Sequence, residues 1–212
     1  MADEMALSSS SPEVSAAFAS EHEAHEQTYT GLSNKKLAMW AFLGSECLLF
    51  GALISTYLLY KGRSLQGPLP HDVYDIPFTS VSSFVLLASS LTMVLALAAI
   101  QRGDDRQTRI WLLATALLGT TFISGQVYEF TTFVREGLKL STNLFGTSFY
   151  VLTGFHGVHV TVGIVMLLTL FGASLLGRLR QQHAETVELV GLYWHFVDVV
   201  WIVIFTVVYL IP

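Results

Sequence analysis

Five long apolar stretches, at 37–60, 80–100, 110–130, 147–176 and 192–211, dominate this 212-residue chain. Each is about 20 residues or longer, the length at which an α-helix crosses a ~30 Å hydrocarbon layer. None alternates at a period of two over about ten residues, as a strand of a membrane barrel would. The breaks between them are turn-like: Gly62 to Pro77 carries Gly67, Pro68 and Pro70, Gly103-Asp104-Asp105 is a tight polar turn, and Arg178 to Glu188 is a charged connector. The reading is an all-α integral membrane bundle of five transmembrane helices. Composition agrees, because only 13% of the residues are charged, about half of what a water-facing surface carries. A net charge of −5 excludes a basic nucleic-acid binder, and a single cysteine excludes a disulfide scaffold.

Residues 1–34 stand apart from the membrane domain at 35–212. The tail holds six of the sixteen acids and no Lys or Arg before Lys35. With its Ser8-Ser9-Ser10-Ser11-Pro12 run it reads as a disordered extension. It lacks the positive start of a signal peptide. His22 and His25 at i and i+3 invite a metal reading, but no further ligands enclose them, so a solvated acidic tail is the expectation. Lys and Arg in the short loops set orientation. Lys35, Lys36, Arg102, Arg106, Arg109, Arg178 and Arg180 share one side, against Lys61, Arg63, Arg135 and Lys139 on the other. This predicts a cytoplasmic N-terminus and an external C-terminus, with Trp40, Trp111 and Trp194 as interfacial aromatics near the inner helix ends.

Ionisable residues within the spans are costly unless partnered, and they are the candidate functional groups. Glu46 lies midway along the first span, in Gly44-Ser45-Glu46-Cys47. It is either a functional carboxyl, handling protons or anchoring a partner, or a structural one held by an interhelical hydrogen bond. Cys47, Gly51 and Ser55 recur every four residues as a face of small side chains that admits another helix, so Cys47 reads as a packing residue and not a nucleophile. In the fourth span His156, His159 and Gly163 fall on one face. In the fifth, His195 and Asp198 share a face, where a His–carboxylate pair offsets the cost of burying both. Three intramembrane histidines raise haem or metal ligation, although two ligands three residues apart on one helix cannot take opposite faces of one haem. Satisfied polar contacts, within the protein or to lipid headgroups, are the other reading. Glu129, at the end of the third span, reads as a solvated helix-end carboxylate.

The chain resembles subunit III of the haem–copper terminal oxidases. The resemblance is strongest in Gly146-Thr147-Ser148-Phe149, in Thr153-Gly154-Phe155-His156-Gly157-Val158-His159-Val160 and in Trp194-His195-Phe196-Val197-Asp198-Val199-Val200-Trp201. Leu86-Leu87-Ala88-Ser89-Ser90 is similar to another family helix, Ser45-Glu46 matches a buried family carboxylate, and Lys36 takes the place of a basic residue before it. The likeness spans 35–211. Longer relatives have seven helices, whose first two form one arm of a lipid-holding cleft, so this chain resembles the short bacterial form. Two positions depart from the family pattern: Gln126 stands where a second carboxylate is common, and Ala173 where a basic residue is common.

The resemblance implies a subunit without haem or copper, those centres lying in partner subunits of a proton-translocating oxidase that reduces O2 to water. It implies direct packing on subunit I, association with subunit II and a small subunit IV, and bound structural phospholipids. The electron donor, cytochrome c or quinol, docks elsewhere in the complex. The location implied is the bacterial cytoplasmic membrane. No residue is expected to be catalytic or to bind metal. Glu46 is expected as the buried functional carboxylate near subunit I, and Lys36 as a contact for a lipid phosphate. His195 and Asp198 are expected to fix helix 5 against helix 4, with His156 and His159 as the matching polar face and Glu129 as a further polar contact. Two rivals remain: a companion subunit of a quinol oxidase or nitric oxide reductase, and a stand-alone transporter or proton channel using Glu46 and Asp198. Five helices without a visible repeat argue against the last.

Overall fold

The computed structural model describes residues 33–61, 76–135, 137 and 144–211. Within them run five long helices: α1 (Asn34–Lys61), α2 (Ile76–Gln101), α3 (Asp105–Arg135), α4 (Leu144–Leu175) and α5 (Ala184–Phe205). All five are long and apolar enough to cross a membrane, and no strand was found among the described residues. The acidic tail, apart from its last two residues, lies outside the described residues.

The helix ends follow from local chemistry. Gly103 closes α2 with φ +75, a left-handed conformation that Gly adopts without a Cβ penalty. Its N–H reaches the Ile100 carbonyl at 3.0 Å and the Asp104 N–H reaches that of Ala99 at 3.0 Å, which satisfies carbonyls the helix end would leave unpaired. Asp104 then caps α3, its Oδ1 accepting from the Gln107 N–H at 3.0 Å. Gly177, with φ +68, closes α4 in the same way. The connector after it is shorter than the sequence predicts. A 3-10 turn at Gln181–His183 leads straight into α5, eight residues before the predicted start at 192. Glu185 and Glu188, counted as connector, lie in the first turns of α5, where the positive end of the helix dipole favours acids.

Helices α2, α3, α4 and α5 form a closed ring in which each packs on the next and α5 returns to α2. The aromatic side chains Phe122, Phe133, Phe149, Trp194 and Trp201 of these helices are buried. Trp194 does not belong to an interfacial belt. It is fully buried, and its indole lies over Gly119 of α3 and Gly163 of α4, where an added Cβ would come within 2.5 Å and 2.7 Å of the ring. An all-helical bundle can take so large a ring only where the facing helices carry no side chain. The part of α1 from Leu43 onward flanks this ring through long side chains: Phe50 meets His159 edge to face at 5.1 Å, and Tyr57 meets Phe145 at 5.9 Å. Lys61 donates to the carbonyl of Ile211.

Candidate functional site

Among the described residues, three of the polar clusters inside the spans hold carboxyl groups. The first joins α1 to α4. His159 Nε2 stands 3.1 Å from Glu46 Oε2, and each side chain is 15% exposed. The other ring nitrogen, Nδ1, lies 2.8 Å from the Phe155 carbonyl. A carbonyl only accepts, so Nδ1 carries a proton. The Nε2–Oε2 contact therefore holds one further proton, as imidazolium with carboxylate or as imidazole with carboxylic acid. Either way the pair is electrically neutral overall, which lowers the cost of placing it in hydrocarbon. Tyr193 of α5 donates to the His159 carbonyl at 3.0 Å and ties the pair to the ring. Sequence reasoning singled out Glu46 and His159 separately and missed both their contact and Tyr193.

The second cluster lies between α2 and α5. Ser90 Oγ lies 3.0 Å from His195 Nδ1 and also bonds Asp198 Oδ2. The expectation that His195 and Asp198 fix α5 against α4 is thus corrected: their partner is on α2. The reason is a row of hydroxyls along α2 that meets α5, in which Ser83 and Ser89 turn to that helix as Ser90 does. Ser83 accepts from Trp201 Nε1 at 2.8 Å, and Ser89 accepts from Trp194 Nε1 at 2.9 Å. The Leu86 to Ser90 segment was noted for resemblance alone, yet the recurrence of Thr79, Ser83, Ser89 and Ser90 in an apolar span is the signal that could have found this seam.

The third cluster corrects the reading of Glu129, which is buried and not solvated. Its Oε1 accepts from Thr79 at 2.7 Å and from Tyr209 at 3.1 Å. Tyr209 reaches it from a π-turn at Thr206–Leu210 that ends α5. The helix continues past the span assumed from composition, so the carboxyl falls between α2 and α5 instead of at a water-facing end. One turn earlier on α3, Gln126 donates from Nε2 to the Thr153 carbonyl of α4 at 2.9 Å.

His156 is separated from His159 despite their shared face. It is fully enclosed, stacked on Trp201 with centroids 4.9 Å apart and set edge-on to Phe122 at 6.0 Å, and neither ring nitrogen has a hydrogen-bond partner among the described residues. The small-residue stripe of α1 points away from the bundle: Cys47, Gly51 and Ser55 are exposed, and a Cβ on Gly51 would meet nothing within 4 Å. Lys36 lies in the first turn of α1, where its N–H bonds Ser33 Oγ at 3.3 Å. Among the described residues no three His, Cys, Asp or Glu side chains converge as a metal site would require.

Comparison with known proteins places this arrangement in a family. A family model described as cytochrome c oxidase subunit III matches residues 15–211 and so reaches into the acidic tail. The chain is 41% identical to cytochrome c oxidase subunit 3 of Bacillus sp. (strain PS3), covering 84% of this chain and 86% of that protein. It is 40% identical to quinol oxidase subunit 3 of Bacillus subtilis (strain 168), covering 87% and 90% respectively. Cytochrome bo(3) ubiquinol oxidase subunit 3 of Pseudomonas aeruginosa is 34% identical, covering 88% and 89%. With five spanning helices and a family match over nearly its whole length, this chain belongs to the cytochrome c oxidase subunit III family.

Proposed function

We propose that the chain serves as the subunit III of a proton-translocating cytochrome c oxidase in the bacterial cytoplasmic membrane, with its N-terminus inside. In this reading it packs directly on subunit I beside subunit II and a small subunit IV, holds structural phospholipid, and supports proton uptake while the partner subunits hold haem and copper. The observation that carries it is how the intramembrane polar groups are used. His159 spends both ring nitrogens on Glu46 and the Phe155 carbonyl, His195 turns Nδ1 to Ser90, and His156 is closed in by rings. Such histidines stitch helices together, which suits a supporting subunit. The exposed small-residue face of α1 is where a helix of subunit I can approach closely. Lys36 serves as a point charge for a lipid phosphate.

A quinol oxidase is the second reading, favoured by the 40% identity to a quinol oxidase subunit 3. Purification of the complex through this chain separates the two. An a-type haem spectrum, a copper-bearing subunit II and oxidation of reduced cytochrome c support the first reading, and oxidation of quinol alone transfers the assignment to the second. Within the purified oxidase, Glu46→Gln is expected to shorten turnover lifetime or lower the pumping ratio. Values equal to wild type in both would leave Glu46 a purely structural partner of His159.

A further inference from the structure

Ser90 touches two titratable side chains through a single hydroxyl, and hydroxyl chemistry makes that arrangement directional. Its Oγ has one proton to donate and lone pairs to accept. With His195 Nδ1 on one side and Asp198 Oδ2 on the other, it donates to one and accepts from the other. Two arrangements fill both bonds. Either the Asp198 acid donates to Ser90 and Ser90 donates to Nδ1, or Nδ1–H donates to Ser90 and Ser90 donates to the carboxylate. Asp198 Oδ1 is buried and has no partner among the described residues. A carboxylate would leave that oxygen as an unpaired charged acceptor in hydrocarbon, whereas the acid makes its one strong bond through Oδ2.

We propose that Asp198 is a buried proton-holding site of this subunit and that Ser90 is the relay through which its proton exchanges with His195. From the first arrangement the Asp198 Oδ2–H bond breaks as a Ser90 Oγ–H bond forms. The original Ser90 O–H bond breaks as His195 Nδ1–H forms. Ser90 ends neutral, Asp198 becomes a carboxylate and His195 an imidazolium, and no electrons change hands. Release of the Nε2 proton to a water molecule returns His195 to a neutral ring carrying its proton on Nδ1, and uptake runs the same steps backward. The geometry suits this direction of exchange: Asp198 is 2% exposed, while His195 is half-buried and its Nε2 makes no bond among the described residues. Among the described residues, titratable groups near α5 are engaged elsewhere: His159 with Glu46, Glu129 with Thr79 and Tyr209, Lys61 with the Ile211 carbonyl, and His156 against Trp201. The relay rests on this chain's side chains and is independent of whether the complex oxidises cytochrome c or quinol.

The experiment is infrared spectroscopy of the purified oxidase complex during transfer from H2O to D2O. Asp198→Asn should remove one protonated-carboxyl band, which assigns it. In wild type that band should shift on deuteration, and in Ser90→Ala the shift should be slowed by about tenfold or more, since the hop loses its intermediate oxygen. Ser90→Thr keeps the hydroxyl and should restore the wild-type rate. If Ser90→Ala does not assemble, His195→Gln decides, because an amide keeps polar contact but cannot take up and pass on a proton. Absence of a band lost in Asp198→Asn, or unchanged exchange in Ser90→Ala or His195→Gln, overturns the proposal. None of these outcomes bears on the electron donor, which the cytochrome c and quinol assays test separately.

Discussion

Replacing Gly163 by Ala tests whether the bundle is built around Trp194. A Cβ at residue 163 would sit 2.7 Å from Trp194 Cε3 and 2.8 Å from Cζ3, closer than carbon atoms approach without displacement. The ring has little freedom to retreat. It is fully buried, Gly119 lies against its other edge, and its Nε1–H is held by Ser89 at 2.9 Å. Over-packing a tight core costs about 1–3 kcal/mol. Pulling the indole from Ser89 adds ~0.6 kcal/mol, the average for an interhelical hydrogen bond in a membrane protein. Alanine also returns ~0.5–1 kcal/mol as a better helix former than glycine. Gly172, on the same helix, gives the control, since a Cβ there meets nothing within 4 Å and only the helix-propensity gain applies. The propensity gain is common to both alanine variants, so they should differ by about 1.6–3.6 kcal/mol in reversible unfolding of the detergent-solubilised chain, followed by tryptophan fluorescence. Trp194→Phe in the Gly163→Ala background should recover part of the loss, because the smaller ring vacates the clash. Equal stability of Gly163→Ala and Gly172→Ala, or a loss that Trp194→Phe leaves unchanged, would refute the notch.

Two further outcomes follow from the buried carboxyls. His159→Phe keeps an aromatic ring against Phe50 but should destabilise by about 1–3 kcal/mol, because Glu46 is left without its partner. The double variant His159→Phe/Glu46→Leu should recover part of this, and additive losses in the cycle would count against the pair. For Glu129, Thr79→Val and Tyr209→Phe each remove one donor to the same oxygen and should each cost about 0.5–1.5 kcal/mol in thermal unfolding, with the double variant departing from additivity. A loss of zero in both would return Glu129 to a solvated role.

The five spans were legible from sequence because a helix in hydrocarbon must be long and apolar, and no tertiary contact is needed to enforce that requirement. The turn at Gly103 was legible for an equally local reason, the left-handed conformation that glycine adopts there. The importance of Glu46, His156, His159, His195 and Asp198 was also legible, because an ionisable side chain in an apolar span is conspicuous whatever surrounds it. Their partners were not. Residues on one helix face share a direction, but a direction does not say which neighbouring helix stands there. His195 and Asp198 therefore face α2 and not α4, Glu129 is enclosed by Tyr209 from a turn that composition could not foresee, and His156 and His159 part company over a single turn. Trp194 makes the same point from the apolar side. Sequence position alone put it at an interface, and two glycines on other helices put it in the core. The sequence by itself determined the number of helices and which side chains must find partners, but not where the fifth helix begins. Which partners they find depended on how four helices close into a ring, a long-range packing outcome that no single helix encodes.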